Sequence, residues 1–152
     1  MYYGNQQDNR RGQQIEVSSS TGGAGPLPVI TTLLAAPINV VSTTVEATGR
    51  DITNLLLFTS TISLPLGISV TLNFQITRTN SEGSTIKVGP TFTFSTLANV
   101  LESEAFSFQF ADNNLRPGNY TYSIEISTNS IIDITPGVTV NNATLSIISF
   151  ND

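Results

Sequence analysis

The stretch Val70–Arg78, VTLNFQITR, decides the fold. In an extended backbone Val70, Leu72, Phe74 and Ile76 point one way, while Thr71, Asn73, Gln75 and Thr77 point the other. That two-residue period marks a strand with one face on a core and one in water. A helix would scatter the four apolar residues around its axis, and Thr and Asn are poor helix formers. Two later runs repeat the pattern. Phe106, Phe108 and Phe110 alternate with Ser107 and Gln109, and Tyr120, Tyr122, Ile124 and Ile126 alternate with Thr121, Ser123 and Glu125. Half-buried strands are stable only when their apolar faces cover one another. The reading is therefore a β-sandwich in which the Val70–Ile76 face meets the Phe106–Phe110 stripe.

Outward from that core, further strands fall at a spacing of roughly ten residues. Ile38–Ala47 puts Val41, Thr43, Val45 and Ala47 on one face, and Leu55–Leu64 starts apolar enough to be buried on both faces. Gly89-Pro90 implies a bulge or an edge position, and Asn141-Asn142 a kink in the last strand, Val138–Phe150. Thr48–Asn54, Asn80–Gly83 and Arg116-Pro117-Gly118 read as turns, and Thr96–Ser103 leaves room for a helical turn. About eight antiparallel strands joined by long connections suit a sandwich of the jelly-roll type.

The division expected is a flexible tail and connector over residues 1–37 and the sandwich domain over 38–152. Met1–Gly25 is rich in Gln, Asn, Ser and Gly and reads as a tail, with Gly22, Gly23 and Gly25 as its hinge. Pro26–Pro37, PLPVITTLLAAP, carries Val29, Ile30, Leu33 and Leu34 between prolines. It reads either as the domain's own first strand or as a connector that pairs with a neighbouring subunit. The N-terminus lacks the basic-then-apolar order of a signal peptide, so synthesis without one, or removal of a leader, is expected.

Composition narrows the function. Only 11% of the residues are charged, so the polar surface has to be Ser, Thr, Asn and Gln. Lys87 is the one lysine, which leaves sheet edges without their usual guard. A net charge of −5 argues against nucleic acid, and no stretch is long and apolar enough for a membrane span. With no Cys and no His, a disulfide framework, a thiolate nucleophile and the commonest base and metal ligand are all missing. Glu102, Glu104 and Asp112 are the remaining route to a cation or acid–base site, and they read as a solvated strand start. The expectation is no enzyme, no cofactor and no metal.

The runs NLLLFTSTISLPLGISVTLNFQITR, VGPTFTFS, ESEAFSFQFAD, NYTYSIEIS and VTVNNATLSIISF are similar, in order and spacing, to a family of small all-β proteins of spore-forming bacteria. That family resembles the jelly-roll subunits of endospore appendage fibres. The resemblance covers about Ile38–Phe150. It implies subunits that stack laterally by adding strands across sheet edges, with a flexible N-terminal connector reaching earlier subunits. It also implies a surface or extracellular location after release from the mother cell. Cysteines that often cross-link such fibres are absent here, so the fibre implied is non-covalent. The leading reading is thus a self-assembling structural subunit that forms a homo-oligomer. The alternative is a carbohydrate- or surface-binding jelly roll, such as a trimeric fibre tip.

Overall fold

The computed structural model describes residues 14–27, 36–65, 69–97, 102–127 and 137–151. Eight strands run through them: β1 (Ile15–Ala24), β2 (Ile38–Ala47), β3 (Ile52–Leu64), β4 (Ser69–Asn80), β5 (Thr85–Leu97), β6 (Glu102–Leu115), β7 (Gly118–Ser127) and β8 (Thr139–Asn151). They form two four-stranded sheets, β1-β8-β3-β6 and β2-β7-β4-β5. Every pairing is antiparallel. Only β4 and β5 are consecutive neighbours within a sheet. Every other connection passes from one sheet to the other, which makes the fold a jelly roll.

The alternation seen in the sequence sets the core. Val70, Leu72, Phe74 and Ile76 are all 0% exposed and meet Leu56, Phe58, Leu145 and Ile147 of the opposite sheet. Burying each such side chain contributes about 1.5–3 kcal/mol. Phe58 and Phe74 touch across the interface with ring centroids 5.7 Å apart. The Phe106–Phe110 stripe points inward as expected, yet stays only half-buried. The reason is position. β6 is the last strand of one sheet and lies across from β5, the last strand of the other. Phe108 stacks on Phe92 at 3.9 Å and tilts onto Phe58 at 4.8 Å, so the rings form a seam along the open side of the sandwich.

Several details differ from the sequence reading. Ile15–Ala24, expected within the tail, is an edge strand paired with β8 from Ile15↔Phe150 to Ala24↔Val140. Its inward residues are Glu16, Ser18 and Ser20, so backbone pairing holds it rather than an apolar stripe. Leu27 beyond it is 3% exposed and exchanges backbone hydrogen bonds with Val138 and Gly137. β3 starts at Ile52, inside the expected turn, and only one of its faces is buried; Leu55 and Leu57 on the other are half-exposed. Around the expected helical turn, β5 runs to Leu97 and β6 begins at Glu102; residues 98–101 lie outside the described ones.

Both punctuation marks are where they were read. Gly89 and Pro90 bulge from β5 opposite Gln75, where the register jumps between Phe74 and Ile76. Gly89 has φ +70°, and a Cβ there would come 2.9 Å from the Phe110 ring. The Gln75 side chain fills the bulge, donating to the Val88 carbonyl at 3.1 Å and accepting from Thr91 at 3.2 Å. Asn142, at φ +50°, makes the kink in β8.

Because Phe58 is 1% exposed and Phe108 sits on the seam, their truncations should differ. Phe58→Ala is expected to cost about 3–5 kcal/mol and Phe108→Ala about 2–3 kcal/mol, read by urea unfolding. Equal losses would show that the side of the sandwich is closed.

Candidate functional site

Two features of the fold hold polar or unsatisfied groups that reach beyond core packing: a buried polar cluster between the sheets, and the free edges.

The cluster joins four strands, two from each sheet, at one end of the core. Arg78 ends the inward stripe of β4, Asp112 ends that of β6, Tyr122 lies on β7 and Asn54 on β3. Arg78 Nη1 donates to Asp112 Oδ2 at 2.5 Å. The Tyr122 hydroxyl donates to the same oxygen at 2.8 Å and accepts from Asn54 Nδ2 at 3.0 Å. Tyr122 and Asn54 are 0% exposed and Asp112 8%. Asn54 Oδ1 is wholly buried and meets no donor among the described residues. Arg78 also lies over the Tyr120 ring, 5.5 Å from its centroid, beside a cleft of about 150 Å³ lined by Asn80, Ser84 and Ile86.

Burial works against the Arg78 charge, but the Asp112 carboxylate more than offsets it and holds the guanidinium above its ordinary pKa. Burial pushes the Tyr122 phenol well above its usual value. The Asn54 hydrogen bond opposes this, and the Asp112 charge adds to it. The cluster therefore works as a clamp: Asp112 and Asn54 of one sheet are bonded to Arg78 and Tyr122 of the other. Apart from Asn54 Oδ1, its polar groups are bonded to one another.

The expectation of Asp112 beyond the Phe106 strand, with a solvated carboxylate, is corrected by the structure: Asp112 lies inside β6 and is buried. The signal was parity. Asp112 continues the inward register of Phe106, Phe108 and Phe110, and Arg78 continues that of Val70–Ile76. A carboxylate and a guanidinium at matching ends of two core stripes point to a buried pair. Glu102 and Glu104 share that register but lie at the other end of β6, opposite Leu64 and Ile62, away from the clamp. Among the described residues, no group of three or more acidic side chains is placed to hold a metal ion, and no helix is long and apolar enough to cross a membrane.

The expected assembly residues fare differently. Val29, Ile30, Leu33 and Leu34 lie outside the described residues. Gly22 and Gly23, read as a hinge, belong to β1, and Gly22 pairs with Ala143. A Cβ on Gly22 would collide with the Val40 carbonyl oxygen, so glycine is there to let β1 press onto β2. Gly25, with φ +117°, turns the chain so that Leu27 reaches the core. Gly22 and Gly23 thus lie within β1, and Gly25 in the turn that follows it.

The free edges differ in how they are guarded. β5 carries Lys87, Pro90 and a bulge, the usual devices against unwanted pairing. β6 keeps regular register with β3 from Glu102 to Asp112 and contains neither Lys nor Pro. Among the described residues no strand covers its other side.

No protein-family model and no curated protein sequence matches the chain. Solved structures with a similar course do. One of infectious bursal disease virus, Gx strain, has TM-score 0.45 and 8% identity over 91% of this chain and 32% of that one. One of the T13 particle of the same virus has TM-score 0.47 and 11% identity over 91% and 34%. The enzymatically active domain of bacteriophage CBA120 tailspike protein 4 has TM-score 0.33 and 10% identity over 88% and 19%. The chain spans about a third of the length of the two viral proteins. Likenesses this distant carry no argument about what the chain does.

The clamp sets an alkaline limit. Unfolded tyrosine loses its proton near pH ~10, while folded Tyr122 keeps it. The contribution of the phenol is complete below that pH and is lost as pH rises beyond it, by about 1.4 kcal/mol per unit. Tyr122→Phe should cost about 1–3 kcal/mol at neutral pH, because Asp112 and Asn54 lose a partner. It should also flatten the alkaline slope, which urea unfolding from pH 8 to 11 would read.

Proposed function

We propose that this chain is a structural subunit that self-assembles without covalent links into a surface or extracellular fibre by adding strands across its sheet edges. One observation carries the reading: β6 offers an eleven-residue run in regular register, Glu102–Asp112, free of Lys, Pro and bulges. A strand laid against it would continue the sheet, gaining about 0.5–1.5 kcal/mol net per ladder hydrogen bond. It would also cover the seam formed by Phe92, Phe106 and Phe108, which the subunit alone leaves half-exposed.

The proposed donor is the apolar segment with Val29, Ile30, Leu33 and Leu34 of an adjacent copy. Burial of those four side chains contributes roughly 6–12 kcal/mol. Ordering about eight residues costs roughly 8–16 kcal/mol. Apolar contact alone about breaks even, so backbone pairing decides the outcome. The segment is tied at both ends, by Leu27 in the core and by β2 at Ile38, so its reach is roughly 15 Å, half its extended length. That suits abutting copies. A connector reaching distant subunits would need β1 to leave its place. No cofactor, metal or catalytic step enters this reading, and a heterologous contact of this kind extends into a fibre wherever its rotation does not close a ring.

Negative-stain microscopy of the purified chain, with hydrogen exchange before and after assembly, tests it. Fibres should form, and alternate amides of Glu102–Asp112 should gain protection. The pair Val29→Asp and Leu33→Asp should abolish fibres at unchanged melting temperature. Fibres from the double variant with unprotected β6 amides would contradict the proposal.

A further inference from the structure

The outer face of the β1-β8-β3-β6 sheet carries the two most exposed large hydrophobic residues among the described ones. Ile15 is 61% exposed and Val17 65%, against a background in which Ile86 is the other large exposed hydrophobic among the described residues. The register places them in rows. Val17, Ile148 and Leu55 lie side by side on three adjacent strands, with Ala111 completing the row on β6. Ile15 and Phe150 flank that row on one side, and Leu57 on the other.

The same face has no charge. The outward positions of β1, β3, β6 and β8 carry Ser, Thr, Asn, Gln and apolar residues alone. Glu16 and Asp112 share the register of inward residues, and Glu46, Lys87 and Glu125 lie on the outer face of the other sheet. In a chain of net charge −5, this is the face on which a like-charged molecule can be laid with no like charges in direct contact among the described residues.

Some of its hydroxyl and amide groups are also already partnered within the sheet. Ser19 and Ser146 share a hydrogen bond of 3.0 Å, Ser63 and Ser103 one of 3.0 Å, and Thr53 donates to Asn113 at 3.1 Å. Covering such pairs forfeits less hydration than covering groups that rely on water.

We infer that this face docks a second copy of the same chain, sheet against sheet, in an isologous dimer. A twisted uncharged sheet is best matched by another of the same twist, packed in the aligned manner of sandwich sheets. The size fits. Four strands about 4.8 Å apart, over ten to thirteen residues of about 3.4 Å rise, give roughly 650–850 Å². A standard interface buries about 800 Å² per partner. A charged partner, by contrast, finds nothing on this face to pair with. The surface is distinct from the β6 edge and does not depend on the fibre proposal.

Sedimentation equilibrium of the full chain, its Val17→Lys and Leu57→Ser variants, and Asn119→Lys as a charge control on the other sheet, tests the inference. Val17 and Asn119 are exposed, so both lysine variants should keep the wild-type circular dichroism and melting temperature. Wild type and Asn119→Lys should dimerise alike. Val17→Lys should raise the dissociation constant at least tenfold by burying an unpaired charge in the interface, and Leu57→Ser should raise it without adding charge. A wild-type chain that stays monomeric at ~100 μM would overturn the inference, as would dimers unaffected by both face variants. Such dimers with newly protected β6 amides would assign association to the edge and leave the fibre proposal standing. Face dimers that never form fibres would sink the fibre proposal alone.

Discussion

The closure of two apolar stripes on each other is the interaction from which the rest of the structure follows. Val70–Ile76 on β4 and Leu56–Phe58 on β3 lie on opposite sheets, and neither is stable without the other. Once the two faces meet, every residue in their register is drawn inward, polar or not. Asp112 and Asn54 are carried in by the strands of one sheet, Arg78 and Tyr122 by those of the other. Their mutual hydrogen bonds make that burial tolerable. The clamp is a consequence of parity as much as a device in its own right.

Scarcity of charge shapes the outside in the same way. With 11% charged residues, strand faces are finished with hydroxyls and amides, which bond across the ladder to one another. Ser42 with Ser123 and Thr44 with Thr121, each at 2.8 Å, do on one sheet what Ser19 and Ser146 do on the other. Such a surface needs little from water and repels little. It leaves β6 without Lys, Pro or a bulge from Glu102 to Asp112 and the face around Val17 and Ile148 uncharged, so both proposed contacts have one physical origin.

Most of the strands were legible because their apolar residues alternate, and the turns because Gly, Pro and Asn mark them. β1 was not legible. Its Ile15 and Val17 point away from the core and its inward side is Glu16, Ser18, Ser20 and Gly22, so hydropathy gives the wrong face and composition suggests a tail. Pairing with the backbone of β8 keeps it in place, and backbone pairing leaves no trace in side-chain pattern. The half-exposure of Phe108 was hidden for a related reason: alternation tells which way a residue points, while strand order tells how much covers it. Asp112 and Arg78 could have been found by extending the two stripes by one step each.

The account holds that copies of this chain meet through uncharged surfaces. The most direct test is sedimentation velocity of the full chain across ionic strength, from ~20 mM to ~1 M salt. Apolar and backbone contacts between molecules of net charge −5 should persist and strengthen as salt screens their repulsion. Association that weakens steadily with added salt would show that charge pairs hold the copies together, and would contradict the account.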